Sequence, residues 1–592
     1  MLSCRKSSQP TPPSDEQRYL DPGLPVEERV EDLLSRMTLA EKVGQMTQAE
    51  RGALQSLEHI TEYGLGSLLS GGGSAPPVNL AAAWANMYDE YQSFALKSRL
   101  KIPLIYGIDA VHGHNNVYGA VIFPHNIGMG CTNNPQLYEQ AMRATAEEVA
   151  GTGIDWTFAP CIAVPQDERW GRTYEGFGET AEITVPMAAA GVRGFQGEDL
   201  ADPATILACA KHFVGDGGTT GGRDQGNTQV DEQTLRDLHM AGYRAAINAG
   251  VGSIMVSFSS WNGQKMHGNK YLLSDVLKGE LGFEGFLISD WSATYQLPGD
   301  FATQIETAIN AGLDMIMVPH EYERFITTLI DLVQQGRVAQ SRIDDAVRRI
   351  LTIKFRLGLF ERPFTDRSYT GSVGSAAHRQ LARECVRQSL VLLKNENQIL
   401  PLAKDSLKIV VAGKNADNLG HQCGGWSITW QGSSGNITIG TTILQGIRQA
   451  VGPHSVVEFS QDGSNATGAD VAIAVIGETP YAEGAGDRDD LSLDGEDMAC
   501  LNNLKAAGVP IVVVLISGRP LIIEPILGDV SAFIAAWLPG SEGAGVADVL
   551  FGDYAPRGKL SHSWPHNMAQ IPINFSDPDY QPLFRLGYGL TY

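Results

Sequence analysis

The feature that most constrains this chain is the alternation of short apolar segments with longer helical ones. Strand-like segments fall at Gly66–Ser70, Pro103–Asp109, Asp155–Pro160, Ile206–Phe213, Gly252–Phe258, Gly285–Asp290 and Met315–Val318. Helical spacing fills the intervals, notably Asn134–Gly151, Thr180–Gly194, Asp231–Ala249 and Phe301–Ala311. Such an alternation requires parallel strands joined by crossover helices. Seven or eight units of this kind predict a (β/α)8 TIM-like barrel over 23–360, imperfect in its first units. A doubly wound open sheet is the alternative. Asp109, the Lys211–His212 pair and Asp290 each fall at or near the C-terminal end of a predicted strand, the end that carries the active site in barrel enzymes.

A second α/β pattern follows. Arg362-Pro363-Phe364 and a Ser/Gly-rich stretch mark a linker over 361–377. The helix His378–Ser389 then opens a domain over 378–592 with apolar strands at Ile409–Gly413, Val471–Gly477, Val509–Gly518 and Ala532–Leu538. Strands so uniformly apolar are buried on both faces, which predicts an open α/β sandwich. At the other end, residues 1–22 are polar and proline-rich and read as a disordered lead-in. Beyond it Val30, Leu33, Leu34 and Met37 recur at helical spacing, and Thr38 with Glu41 forms a capping box.

Composition removes several function classes. A formal charge of −23 leaves nothing to neutralise phosphates in bulk, so no nucleic-acid partner is expected. Seven cysteines without a CxxC pair give neither a disulfide framework nor a structural zinc site. Cys131, Cys161 and Cys209 lie in apolar contexts and read as small hydrophobes, whereas Cys423 lies in a loop near a candidate site. No apolar run reaches the roughly 20 residues of a transmembrane helix. Met-Leu-Ser-Cys4 before a Ser/Thr/Pro-rich stretch reads as the remnant of a lipoprotein signal, so the expected location is periplasmic or secreted, with lipid anchoring as one form of it. There is no cofactor motif, and neither a cofactor nor a metal is expected.

Five segments carry chemistry. In Phe286–Trp291 a buried strand delivers the Asp290 carboxylate to the barrel mouth with an indole beside it, as glycoside cleavage requires; helix capping is the bland alternative. Lys211 and His212 suit hydrogen bonding to sugar hydroxyls, with a Schiff-base lysine as the rival chemistry. The segment Glu168–Glu179 sets Arg172 among aromatics and glycines, so its guanidinium fork can face a carboxylate or paired hydroxyls. In Gly477–Asp487 of the second domain, Glu478 and Glu483 are equal candidates for a proton donor, and spacing does not choose between them. Finally, Cys423–Gly432 places Trp426 and Trp430 among glycines, either as core or as a sugar-stacking platform.

Taken together, these motifs resemble glycoside hydrolase family 3, and within it the β-glucan exohydrolases of plants and bacteria. The resemblance rests on Tyr106–Gly113, Lys211-His212-Phe213, Ser259–Gly263, Ser289-Asp290-Trp291 and Ser517-Gly518-Arg519-Pro520. It implies a retaining, exo-acting β-glucosidase that takes β-1,3- and β-1,4-linked glucans and oligosaccharides. By the same resemblance Asp290 is the nucleophile and Glu483 the acid/base. Asp109, Arg172, Lys211, His212 and Met255 match residues that hold the terminal glucose, and Trp291 and Trp430 match the indole pair around the next sugar. Phe258, Gln225 and Gln296 depart from the plant pattern, which has Tyr, Glu and Arg there. The rivals within the family are a β-xylosidase and a β-N-acetylhexosaminidase, although the histidine loop of the latter is replaced by Gly215-Asp216-Gly217-Gly218. Outside it stand a non-catalytic sugar-binding protein and a barrel aldolase.

Overall fold

A computed structural model describes residues 17–592. Most of the expected lead-in over 1–22, including Cys4, lies outside the described residues. Its last part is packed rather than loose: Tyr19 sits in a short 3-10 turn (Arg18–Leu20), is buried, and donates its hydroxyl proton to Leu100 O at 3.1 Å.

The first domain is a closed barrel of eight parallel strands: β1 (Thr47–Glu50), β2 (Ser67–Ser70), β3 (Ile105–Ile108), β4 (Trp156–Thr157), β5 (Cys209–Phe213), β6 (Ser253–Val256), β7 (Phe286–Ile288) and β8 (Ile316–Met317). Two parallel sheets, ordered β8-β1-β2-β3-β4 and β7-β6-β5, are joined by the bridges Trp156–Leu207 and Ile288–Met315. Helices follow each strand; the one after β1 is only Glu58–Glu62, in keeping with imperfect first units. The capping box forms as its sequence predicts, with the Glu41 side chain accepting from Thr38 N at 2.8 Å. At the N-terminal end of the barrel, Lys354 of the last helix (Gln340–Arg356) donates to Gln45 Oε1, Gly66 O and Pro103 O. These bonds give three acceptors to a fully buried amino group, whose pKa burial lowers to about 7.

Strand β1 is absent from the sequence reading because Thr47, Gln48 and Glu50 are polar. Inside the barrel they are buried, and Thr47 and Gln48 are bonded to Val43 O and Ser67 Oγ.

The second domain is a six-stranded sheet: β9 (Val391–Asn395), β10 (Lys408–Ala412), β11 (Val456–Ser460), β12 (Val471–Gly477), β13 (Ile511–Ile516) and β14 (Ala532–Trp537). The order is β9-β14-β13-β12-β10-β11, parallel throughout except at β9. The central strands are wholly buried, as their composition requires. The edge strands β9 and β11 are additions to the sequence reading. Strand β11 is part-exposed along its length and lacks the uniform apolar signal of its neighbours.

Candidate active site

The C-terminal ends of the barrel strands and loops of the second domain enclose a cavity of about 670 Å³. It brings together all nine site residues expected from sequence: Asp109, Arg172, Lys211, His212, Met255, Asp290, Trp291, Trp430 and Glu483.

The charged groups are held in one connected network. Arg172 grips Glu175 through two bonds, of 2.8 and 2.9 Å, reaches Glu483 Oε1 at 3.3 Å, and donates to His212 Nε2 at 3.1 Å. A guanidinium only donates, so His212 Nε2 is an acceptor and the ring proton sits on Nδ1, directed at Asp216 Oδ2 2.8 Å away. Burial, together with Arg172 and Lys211, holds the His212 pKa well below its usual value. The imidazole is therefore neutral, in one tautomer, with Nε2 3.8 Å from Asp290 Oδ2. The strand register shifts between Ala210 and Phe213, and the adjacent Lys211 and His212 both face the cavity.

Lys211 donates to Asp109 Oδ1 at 3.0 Å. Burial opposes its charge, but Asp109 and Glu175 outweigh burial and its pKa is raised. It is thus an ammonium, not the free amine that a Schiff-base mechanism needs.

Asp290 caps no helix with its side chain. Its carboxylate accepts from Trp291 N at 2.7 Å, while its own N–H donates to His267 Nε2 at 3.1 Å, which fixes the backbone at the strand end. Burial pushes the Asp290 pKa up to about 6, against the pull of Arg172 and the Trp291 N–H. Burial pushes Glu483 higher, to about 8, with Arg172 lowering it and Asp290 adding to the rise. The two carboxyls differ because Asp290 receives a backbone hydrogen bond and the Lys211 charge in addition to Arg172.

Glu478 and Glu483, equal by spacing, separate in space. Glu478 is buried behind the cavity, accepting from Gly518 N at 2.9 Å and Tyr481 Oη at 2.8 Å, with Arg519 at 3.2 Å. Glu483 lines the cavity.

The two loop tryptophans also separate. Trp430 is 45% exposed at the mouth, whereas Trp426 is buried at 7%, with Nε1 donating to Glu175 Oε1 at 3.1 Å and Lys211 Nζ 5.5 Å from its ring. Trp426 lines the same cavity and is a site residue that the sequence reading leaves undecided. Cys423 is fully buried beside Ile122 and Leu419, so its loop position does not make it a site residue.

Other lining residues lack a sequence signal: Glu50 on the unrecognised β1, Phe158, Met317 and His320. The Gly71-Gly72-Gly73 run does carry one. A Cβ on Gly71 would lie 3.0 Å from the Trp291 ring, and one on Gly72 only 2.7 Å from Trp430 Cβ, so this loop backs both indoles. Gln296 donates to Gln225 at 2.7 Å on the rim, an amide pair where plant relatives are expected to hold opposite charges. Among the described residues, Cys161, His212 and Asp216 cluster with metal-ligand spacing. There His212 and Asp216 are already paired, and burial raises the Cys161 thiol pKa, which disfavours the thiolate a metal would take.

Comparison with known proteins decides the family. Residues 38–353 match the Glycosyl hydrolase family 3 N terminal domain and residues 390–592 the Glycosyl hydrolase family 3 C-terminal domain. The chain belongs to glycosyl hydrolase family 3. It is a glycoside hydrolase. The exo-1,3/1,4-beta-glucanase from a Pseudoalteromonas species superposes with a TM-score of 0.92 at 46% identity, over 96% of this chain and 74% of that one. A lysosomal beta glucosidase from Dictyostelium discoideum is 35% identical over 95% of this chain and 76% of its own length. A periplasmic beta-glucosidase from Salmonella typhimurium is 32% identical over 95% and 80%. The barrel followed by an α/β sandwich is the architecture of this family.

Proposed function

We propose that this family 3 hydrolase removes glucose from the non-reducing ends of β-1,3- and β-1,4-linked glucans and oligosaccharides, with retention of configuration. One observation carries the reading: two carboxyls from different domains share a cavity, one with a pKa of about 6 and the other of about 8. Near neutral pH the first is ionised and the second protonated, as a nucleophile and a general acid must be.

In the first step an Asp290 oxygen attacks the anomeric carbon while Glu483 gives its proton to the departing glycosidic oxygen. In the second, Glu483 takes a proton from water, which displaces Asp290 from the sugar. Asp109, Lys211, Arg172 and His212 offer donors and acceptors to the hydroxyls of the terminal glucose, and Met255 its apolar edge. Trp291 and Trp430 hold the next ring by its faces. A floor of buried residues and a mouth bearing an exposed indole favour a pocket that takes only a chain end. Ring faces look alike across linkages, so the indole pair supports tolerance of both β-1,3 and β-1,4 bonds, which the Pseudoalteromonas enzyme's name pairs as well.

Digests of laminari- and cello-oligosaccharides test this directly: the early products from both series are glucose and the chain shortened by one unit. Early fragments shortened by two or more units, or cleavage of one series with none of the other, contradict it.

The pH dependence follows from the same pair. Protonating Asp290 removes the nucleophile, so kcat/KM rises as pH increases through about 6. Deprotonating Glu483 removes the acid, so kcat/KM falls as pH increases through about 8. Because Asp290 itself raises Glu483, the two limbs belong to the pair as a unit. A pH profile with an optimum between them, whose upper limb disappears in Glu483→Ala, is the expected result.

An exported location is part of the proposal, supported by relatives named periplasmic and lysosomal. Among the described residues no helix is long and apolar enough to cross a membrane.

A further inference from the structure

The Ser517-Gly518-Arg519-Pro520 motif follows β13 and does not line the cavity, yet Arg519 is one of the most completely buried charges in the chain. Its guanidinium is bonded on every side. Nε donates to Tyr481 Oη at 3.1 Å and lies 3.2 Å from Glu478 Oε1. Nη2 donates to Gly486 O at 2.5 Å, and Nη1 to Arg169 O at 3.0 Å and Glu168 O at 3.3 Å. Its Cζ also sits 4.8 Å above the Tyr481 ring.

These partners have a common relation to Glu483. Tyr481 and Gly486 flank it in the second-domain loop, and Glu168 and Arg169 belong to the barrel loop that carries Arg172. One fork thus ties both sides of the Glu483 loop to the loop holding the guanidinium that Glu483 faces. The surroundings leave little slack. A Cβ on Gly171 would lie 2.1 Å from Glu483 O, Gly171 N donates to Asp487 at 2.8 Å, and Tyr174 Oη donates to Tyr481 O at 2.7 Å. Glu483 itself is held at a φ of +54°, a conformation that a free loop would leave.

We infer that Arg519 is a positioning residue: it fixes Glu483 across the domain boundary, against Arg172 and the reacting bond, without touching substrate. The inference rests on Glu483 being the acid/base. Lysine keeps the charge but concentrates its donors on one atom, and so cannot span Tyr481 Oη, Gly486 O and Arg169 O together.

The test exploits leaving-group demand, because a dinitrophenolate departs without a proton whereas a sugar alkoxide needs one. In Arg519→Lys, kcat/KM on laminaribiose should fall by about 30-fold or more, part of the 10²–10⁴ that a placed acid supplies. On dinitrophenyl β-glucoside it should fall about 3-fold or less, because the glycosylation step there needs no acid. A smaller folded fraction would lower both alike. Tyr481→Phe, which removes only the hydroxyl shared by Arg519 and Glu478, should show the same split more weakly, and it carries the test if the lysine variant does not fold. Glu483→Ala is the reference. If it shows no split, the acid/base reading itself fails. If it shows the split while Arg519→Lys and Tyr481→Phe lower both substrates equally or neither, the positioning role is overturned.

Discussion

Asp290→Gly folds but turns over laminaribiose and cellobiose about 10⁴-fold or more slowly than the parent, the scale on which removing a nucleophile from a catalytic set acts. The loss follows from geometry. His212 is neutral with Nε2 occupied by Arg172, and Glu483 is held as an acid, so no neighbouring group replaces the attacking oxygen. Removing the carboxylate opens space on the face of the sugar from which it attacks. Azide entering that space displaces the aglycone once, with inversion, and gives α-glucosyl azide. Kinetics with and without azide, with a thermal melt showing the fold intact, check this. Substantial residual activity, or a β-azide product, would place the nucleophile elsewhere.

Glu483→Ala behaves differently in kind. Substrates with sugar leaving groups lose about 10² to 10⁴ in kcat/KM, the range of general acid catalysis, whereas dinitrophenyl β-glucoside loses far less in the glycosylation step. Azide now attacks the glycosyl–Asp290 intermediate, a second inversion, and the product is β-glucosyl azide. The opposite azide anomers from two variants of one cavity assign the two roles independently of any pKa. Loss of activity equal for all leaving groups would remove Glu483 from the acid role and return attention to the rest of the Gly477–Asp487 loop.

Much of this is legible in the sequence because strand ends and chemistry coincide. The apolar run before Asp290 is a strand, and a strand of a parallel barrel can deliver its last residue only to the mouth. The same logic finds Asp109 and the Lys211–His212 pair. What stays hidden depends on contacts distant in sequence. Glu478 and Glu483 look alike until Arg519 and Gly518, from the segment after β13, bind the first. Trp426 and Trp430 share one glycine-rich loop, and only the tertiary position of Glu175 draws one indole inward while the other remains exposed. Strand β1 escapes because Thr47, Gln48 and Glu50 are polar, with Thr47 Oγ1 and Gln48 Nε2 donating inside the barrel and Gln48 Oε1 left without a partner, so it lacks the apolar signature that marks its neighbours. With β1 unrecognised, Glu50 at its end is missed as well. That residue accepts from Ser74 and Gly52 and so helps fix the glycine loop behind both indoles.

The central claim is retention by a pair of carboxyls acting on the terminal glucose. Proton NMR of laminaribiose and cellobiose in the opening minutes of hydrolysis tests it most directly. Retention predicts that the non-reducing unit leaves as β-glucose, seen as an early excess of β over the anomeric ratio that the reducing unit brings with it, an excess that then relaxes by mutarotation. An early excess of α-glucose over that ratio would mean a single displacement by water, and would contradict the assignment of Asp290 as nucleophile.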